Sequence, residues 1–219
     1  MFNVKKITII GMLCAIAYVV MVFGRIPVVL FLKYDPKDVI ITIGGFLLGP
    51  LSVFIISVIV SFIEMLSVSE TGLIGCLMNV LSTCSFACTA SIIYKRIHNI
   101  KGAIIGLFCG LSLMVIVMLL WNYYVTPLYM GYPREAVAKL LIPAFLPFNL
   151  LKGGLNMTIT FFLYKPLVTT LRKAGFITNS DNSESYNGNK IGFILVGILI
   201  FITCVLGILV FQEIIGSVK

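Results

Sequence analysis

Apolar runs separated by short polar or Pro/Gly-containing connections repeat along the chain, at residues 7–24, 38–49, 51–67, 74–94, 102–125, 148–171 and 191–211. Most are close to the roughly 20 residues that a helix needs to cross a bilayer. The second run is too short for an upright crossing, and Gly44, Gly45, Gly49 and Pro50 predict a compact helix that turns tightly into the third. The pattern therefore predicts an all-α integral membrane protein. Its first six helices form one domain over residues 1–175, and a polar linker at 176–190, rich in Asn and Ser, leads to an extra C-terminal helix within 191–219. The N-terminal run follows Lys5 and Lys6 as in a signal peptide, but no small-residue cleavage site comes after it, so it reads as a retained first helix.

Composition sharpens this picture. Hydrophobic residues make up 60% of the chain and charged residues 11%, against about 25% charged in soluble domains. The net charge of +8 does not point to nucleic acid, because the basic residues gather at the ends of the apolar runs. Placing the N-terminus in the cytoplasm puts Lys5, Lys6, Lys95, Arg96, Lys101, Lys165, Arg172, Lys173 and Lys190 inside. Arg25, Lys33, Lys37, Arg134, Lys139 and Lys219 then lie outside. Nine against six favours this orientation by the positive-inside rule. The six cysteines sit within apolar segments without metal-ligand spacing and read as packing residues, and the one histidine, His98, lies in a basic loop.

Two external connections stand out: 25–37, with Tyr34-Asp35-Pro36, and 126–147, whose five Gly and Pro residues flank an amphipathic Arg134–Leu141 stretch and predict a structured cap. Polar side chains inside apolar spans are costly and face a partner or a cavity. Here Glu64, Asn79, Asn122, Asn149, Lys152 and Asn156 fall at similar depth near the outer side, on four different helices. Asn149, Lys152 and Asn156 share one face of their helix, within about 60° at 100° per residue, with Gly153 and Gly154 beside them removing bulk for a ligand. A lysine with several amides offers donors and acceptors to a flat, carbonyl-rich heterocycle. The same residues also allow a Glu64–Lys152 pair or helix-joining hydrogen bonds. Tyr34, Trp121, Tyr123 and Tyr124 serve either as stacking surfaces or as an interfacial aromatic belt. On the first helix, Gly11 and Ala15 form a small-xxx-small pair that lets another helix approach.

The chain resembles the riboflavin-specific substrate-binding (S) components of energy-coupling factor (ECF) transporters. The resemblance rests on Leu32-Lys33-Tyr34-Asp35-Pro36-Lys37-Asp38, Ile43-Gly44-Gly45-Phe46-Leu47-Leu48-Gly49-Pro50, Ser69-Glu70-Thr71-Gly72, Met78-Asn79-Val80-Leu81-Ser82-Thr83, Asn122-Tyr123-Tyr124 and Phe145-Leu146-Pro147-Phe148-Asn149-Leu150-Leu151-Lys152-Gly153-Gly154. It covers about residues 1–175. It implies a six-helix S component in the cell membrane that captures extracellular riboflavin, with no bound cofactor. It further implies a transmembrane coupling protein and two cytoplasmic ATPases as partners. On this resemblance Asn122, Asn149 and Lys152 match flavin-site positions, Leu32 and Tyr34 form the lid, and Gly11 and Ala15 correspond to a small-residue contact with the coupling protein. The glycine at the first place of that contact and the seventh apolar segment depart from the family pattern.

The sequence contains no P-loop, no HExxH and no nucleophile–base arrangement that His98 serves from its loop, so it does not read as an enzyme. The alternatives are an S component for another vitamin or small heterocycle, and an intramembrane enzyme using Glu64 and Lys152.

Overall fold

The computed structural model describes residues 4–29, 32–69, 71–131 and 133–173, together with residues 197, 198, 201, 202, 205 and 207 of the C-terminal segment. Helix α1 (Val4–Gly24) leads into an antiparallel hairpin of β1 (Ile26–Val29) and β2 (Leu32–Tyr34). Helices α2 (Lys37–Leu48), α3 (Pro50–Ser67) and α4 (Gly72–Thr83) follow. A π-helical turn (Cys84–Cys88) carries α4 into α5 (Thr89–Ile97). Next come α6 (Ile100–Tyr124), the short α7 (Thr126–Met130), α8 (Arg134–Leu140), a second π-helical turn (Leu141–Phe145) and α9 (Leu146–Lys173).

Local chemistry sets the breaks between helices. Gly49 takes φ 91°, in the left-handed region, and Pro50 starts α3 at a position where its missing N–H costs nothing. At the α5–α6 turn, His98 adopts a left-handed conformation, and the Asn99 side chain accepts from the Gly102 amide at 2.8 Å to cap α6. Five helical stretches among the described residues are long and apolar enough to cross a membrane: Val4–Gly24, Pro50–Ser67, Gly72–Ile97, Ile100–Tyr124 and Arg134–Tyr164. Helix α2, with 12 residues, spans about 18 Å and falls well short of the roughly 30 Å hydrocarbon core.

Packing is close where small residues permit it. A Cβ at Gly110 would lie 2.4 Å from the Phe86 carbonyl oxygen, and one at Gly106 would lie 2.7 Å from that of Ala90. The α6 backbone therefore rests directly on the first π-helical turn and on α5, as glycine allows between membrane helices. The main core joins Leu13 and Ala17 of α1, Ile41 and Phe46 of α2, Ile56 and Val60 of α3, Phe86 and Ala87 of the π turn, and Leu107 and Met114 of α6. Large apolar side chains such as Phe54, Phe62, Phe108 and Ile116 point outward, as lipid contact requires.

The structure departs from the sequence reading in two places. The 25–37 connection is a β-hairpin, favoured by β-branched residues in Ile26-Pro27-Val28-Val29. The last long helix begins at Arg134 instead of 148, because α8 runs through the second π turn into α9. Pro143 has no N–H to give and its ring crowds the preceding turn, so the helix widens there without ending. The hairpin and this cap share a second apolar cluster made of Val28, Leu32, Tyr34, Val137, Ala144, Phe145, Phe148 and Leu155. The predicted linker at 176–190 lies outside the described residues. The described residues of the C-terminal segment are helical, with Gly197 against Phe162 and Gly207 against Leu151 of α9. The rest of the extra helix expected within 191–219 lies outside the described residues.

Candidate functional site

One pocket opens beneath the hairpin, between α3, α4, α6 and α9 at their hairpin side. Leu32, Glu64, Asn79, Asn149 and Lys152 all line it, joined by Arg25, Lys33, Asp35, Ser82, Met118 and Phe148. Its free interior is only about 60 Å³, against the 300–1,000 Å³ usual for small-molecule sites. The hairpin lies folded down onto a charge cluster that fills most of the space.

That cluster is built from ion pairs the sequence did not indicate. The Arg25 guanidinium and the Lys37 ammonium both bond the Glu64 carboxylate, and Asn79 Nδ2 donates to Glu64 Oε1 at 3.0 Å. Arg25 Nε also donates to Asp35 Oδ1 at 2.8 Å, and Lys37 Nζ lies 3.9 Å from Asp35 Oδ2. Lys37 has no exposed surface and Glu64 only 2%. Charges so buried persist only when paired and hydrogen-bonded.

The alternative Glu64–Lys152 pair is not formed. Lys152 Nζ instead lies 3.5 Å from Asp38 Oδ2 and 3.5 Å from Ser82 Oγ. The cause is topological: the hairpin folds Arg25 and Lys37 back over the end of α3, where they take Glu64, and α2 brings Asp38 to Lys152. The sequence places Arg25 and Lys37 only in the external 25–37 connection, with no partner indicated. The missed signal was an acidic pair, Asp35 and Asp38, bracketing Lys37 where an apolar helix begins. Three cations and three carboxylates make the cluster formally neutral. Burial pushes the Asp35 carboxyl up, but the nearby Lys37 and Arg25 more than offset this and hold it below the ordinary carboxylate value.

The remaining predicted residues divide. Asn149 lines the pocket and donates from Nδ2 to the Phe145 carbonyl at 2.7 Å. Asn156 is buried one turn below Lys152 and donates to Asp38 Oδ2 at 3.2 Å. Asn122 is buried on α6 a turn beyond the pocket-lining Met118, and its Oδ1 accepts from Thr126 at 3.0 Å. Tyr34 is buried in the hairpin–cap cluster beside Leu32. Tyr123 is not brought to the pocket: it sits on the surface, edge-on to Tyr124 at 4.9 Å. Gly153 makes room for α6, not for a ligand, since a Cβ there would lie 2.2 Å from Leu111 Cδ1. Gly11 and Ala15 face outward from α1, and nothing lies within 4 Å of a Cβ placed on Gly11. The described residues hold no cluster of three His, Cys, Asp or Glu side chains suited to a metal ion.

With this pocket of amides and charged groups at one end of an apolar bundle, residues 5–164 of the chain match the model of a known family, described as the substrate-specific component of ECF transporters. The chain belongs to that family. It is thus an S component, a multi-pass membrane subunit of a transporter rather than an enzyme. It is 30% identical over 178 residues to the riboflavin transporter RibU of Staphylococcus aureus (strain TCH60), covering 77% of this chain and 93% of that one. Over 189 residues it is 28% identical to the riboflavin transporter FmnP of Bacillus subtilis (strain 168), covering 78% and 98% of the two chains. A solved S component of a bacterial ECF transporter shares its fold, with a TM-score of 0.66 and 30% identity over 77% of this chain and 98% of that one.

Proposed function

We propose that this S component captures riboflavin at the outer face of the cell membrane, as the substrate-specific subunit of an ATP-driven uptake transporter. The observation that carries the reading is the convergence of Leu32, Glu64, Asn79, Asn149 and Lys152 on one pocket beneath the hairpin, in a chain whose relatives are riboflavin transporters. Isoalloxazine presents carbonyls and ring nitrogens along one edge, and amides and an ammonium complement them. Asn156 extends the polar wall toward the bundle interior and Asn122 toward the α7 end of α6, and Tyr34 anchors the lid. Tyr123, which lies on the surface, meets a ligand only if the outer end of α6 rearranges.

Because the free interior is about 60 Å³, riboflavin gains access by lifting the hairpin and is then enclosed by it. Arg25, Asp35 and Lys37 travel with that lid. The N-terminus lies in the cytoplasm, and the outward face of α1 with Gly11 and Ala15 receives the transmembrane coupling protein, through which two cytoplasmic ATPases act. The chain divides into the 1–175 substrate-binding domain, the linker at 176–190 and an additional C-terminal helix in 191–219.

Quenching of riboflavin fluorescence on titration with the purified, detergent-solubilised protein tests the ligand. Saturable one-to-one quenching that thiamine and adenine do not compete is the expected result. A folded protein that leaves riboflavin fluorescence unchanged, or that prefers another heterocycle, refutes it.

A further inference from the structure

We propose that Asp38 is a positioning residue for ligand capture, holding the Lys152 ammonium toward the pocket from behind its wall. The inference rests on the riboflavin reading of the site. Asp38 is 1% exposed, stands in the first turn of α2, and does not itself line the pocket. Its carboxylate is fixed from two helices: Thr83 Oγ1 of α4 donates to Oδ1 at 2.6 Å, and Asn156 Nδ2 of α9 donates to Oδ2 at 3.2 Å. The α2 N-terminus adds its partial positive charge to that carboxylate. Lys152 Nζ lies 3.5 Å from Oδ2.

Lys152 and Asn156 are four residues apart on one face of α9, so both reach the same carboxylate. The ammonium has three donors. Asp38 and Ser82, each at 3.5 Å, account for two of them, and the third is left for the pocket that Lys152 lines. Both contacts are long for charge-assisted bonds, so an acceptor on the ligand competes for the ammonium without first breaking a tight pair. Without Asp38 the cation loses its one ion-pair partner among the described residues and keeps only the longer-range attraction of Asp35, a carboxylate already engaged by Arg25 and Lys37, while Glu64 is taken by the same two cations. It would then swing toward another acceptor or toward the outer interface.

A double-substitution cycle on the full chain tests this. Riboflavin affinity and apo thermal stability are measured for wild type, Asp38→Asn, Lys152→Met and the double variant. Asp38→Asn keeps the shape and an acceptor for Thr83 while removing the charge. Asp38→Asn is expected to weaken flavin binding at least about tenfold and Lys152→Met more, with the double variant no weaker than Lys152→Met alone. The apo melting temperature of the double variant should exceed that of Asp38→Asn, because no buried cation is left without a partner. Independent losses that multiply, or unchanged affinity in Asp38→Asn, overturn the proposal. If Asp38→Asn does not fold, recovery of folding in the double variant supports the pairing, and failure of both overturns it. Absence of flavin binding by wild type would sink the riboflavin reading alone. The melting cycle would still decide the Asp38–Lys152 pairing, with additive shifts refuting it.

Discussion

Arg25 and Lys37 bond the same carboxylate, that of Glu64, from the two ends of the hairpin that lies between them. One acidic side chain on α3 therefore clasps both roots of the hairpin. Replacing it by Gln leaves two nearly buried cations without their shared counter-ion, and breaking a buried pair from one side costs about 3–5 kcal/mol. Glu64→Gln is expected to lower the melting temperature and to raise hydrogen exchange across residues 26–34. Exchange at wild-type rates in that segment would show that the hairpin is held by its apolar contacts alone.

Leu32 is 3% exposed and belongs both to the pocket lining and to the cluster with Val137, Phe145 and Phe148. Truncation to Ala removes packing worth about 2–5 kcal/mol at a fully buried site. Because that packing holds the hairpin against the cap and not the ligand's polar edge, the proposed lid role predicts that Leu32→Ala speeds riboflavin release more than it slows capture. Stopped-flow fluorescence separates the two rates, and a change confined to the association rate would contradict this assignment.

Asp35 gives the hairpin an acid sensitivity with a definite sign. Lys37 and Arg25 hold its folded-state value below the ordinary one despite burial. Its stabilising contribution is therefore complete above the unfolded value of about 3.9 and is lost as pH falls through the lower folded value. Melting temperature measured from pH 7 to pH 3 should drop more steeply below about pH 4 in wild type than in Asp35→Asn. Parallel profiles would mean that Asp35 is not the titrating group.

Gly110 sits where α6 meets the first π-helical turn, with the Phe86 carbonyl oxygen 2.4 Å from where a Cβ would be. A backbone carbonyl cannot swing aside, so Gly110→Val should destabilise the bundle by about 1–3 kcal/mol or more. The expected readout is a lower melting temperature with the flavin stoichiometry of the folded fraction preserved. An unchanged melting temperature would show that the two helices separate freely at this contact.

The sequence made the helical membrane architecture and much of the pocket legible for a shared physical reason: lipid penalises both interruptions in apolar runs and unpartnered polar groups. Asn79, Asn149 and Lys152 stood out against an apolar background, and they do meet at one pocket. The partners were less legible. Asp35, Lys37 and Asp38 lie next to Pro36 and Arg25 follows α1, all at the edges of spans where charged residues are ordinary, and only the fold of the hairpin shows that the first three are buried and Arg25 partly so. Gly153 illustrates a related ambiguity. Helix spacing placed it beside Lys152, but only the position of Leu111 shows that the space it leaves is filled by α6. Tyr123 illustrates the limit for aromatics, because an interfacial tyrosine and a stacking tyrosine share the same sequence surroundings.

Arg134–Tyr164 forms a continuous helical stretch of 31 residues, about 46 Å long. Lys152 therefore shares a stiff strut with the surface-exposed start of the cap. A fluorophore or spin label placed near Arg134, far from the flavin and clear of its absorbance, would register any tilt that ligand capture imposes at Lys152. The same strut carries strain in reverse, so an antibody or crosslink that pins the cap would change flavin affinity without touching the pocket.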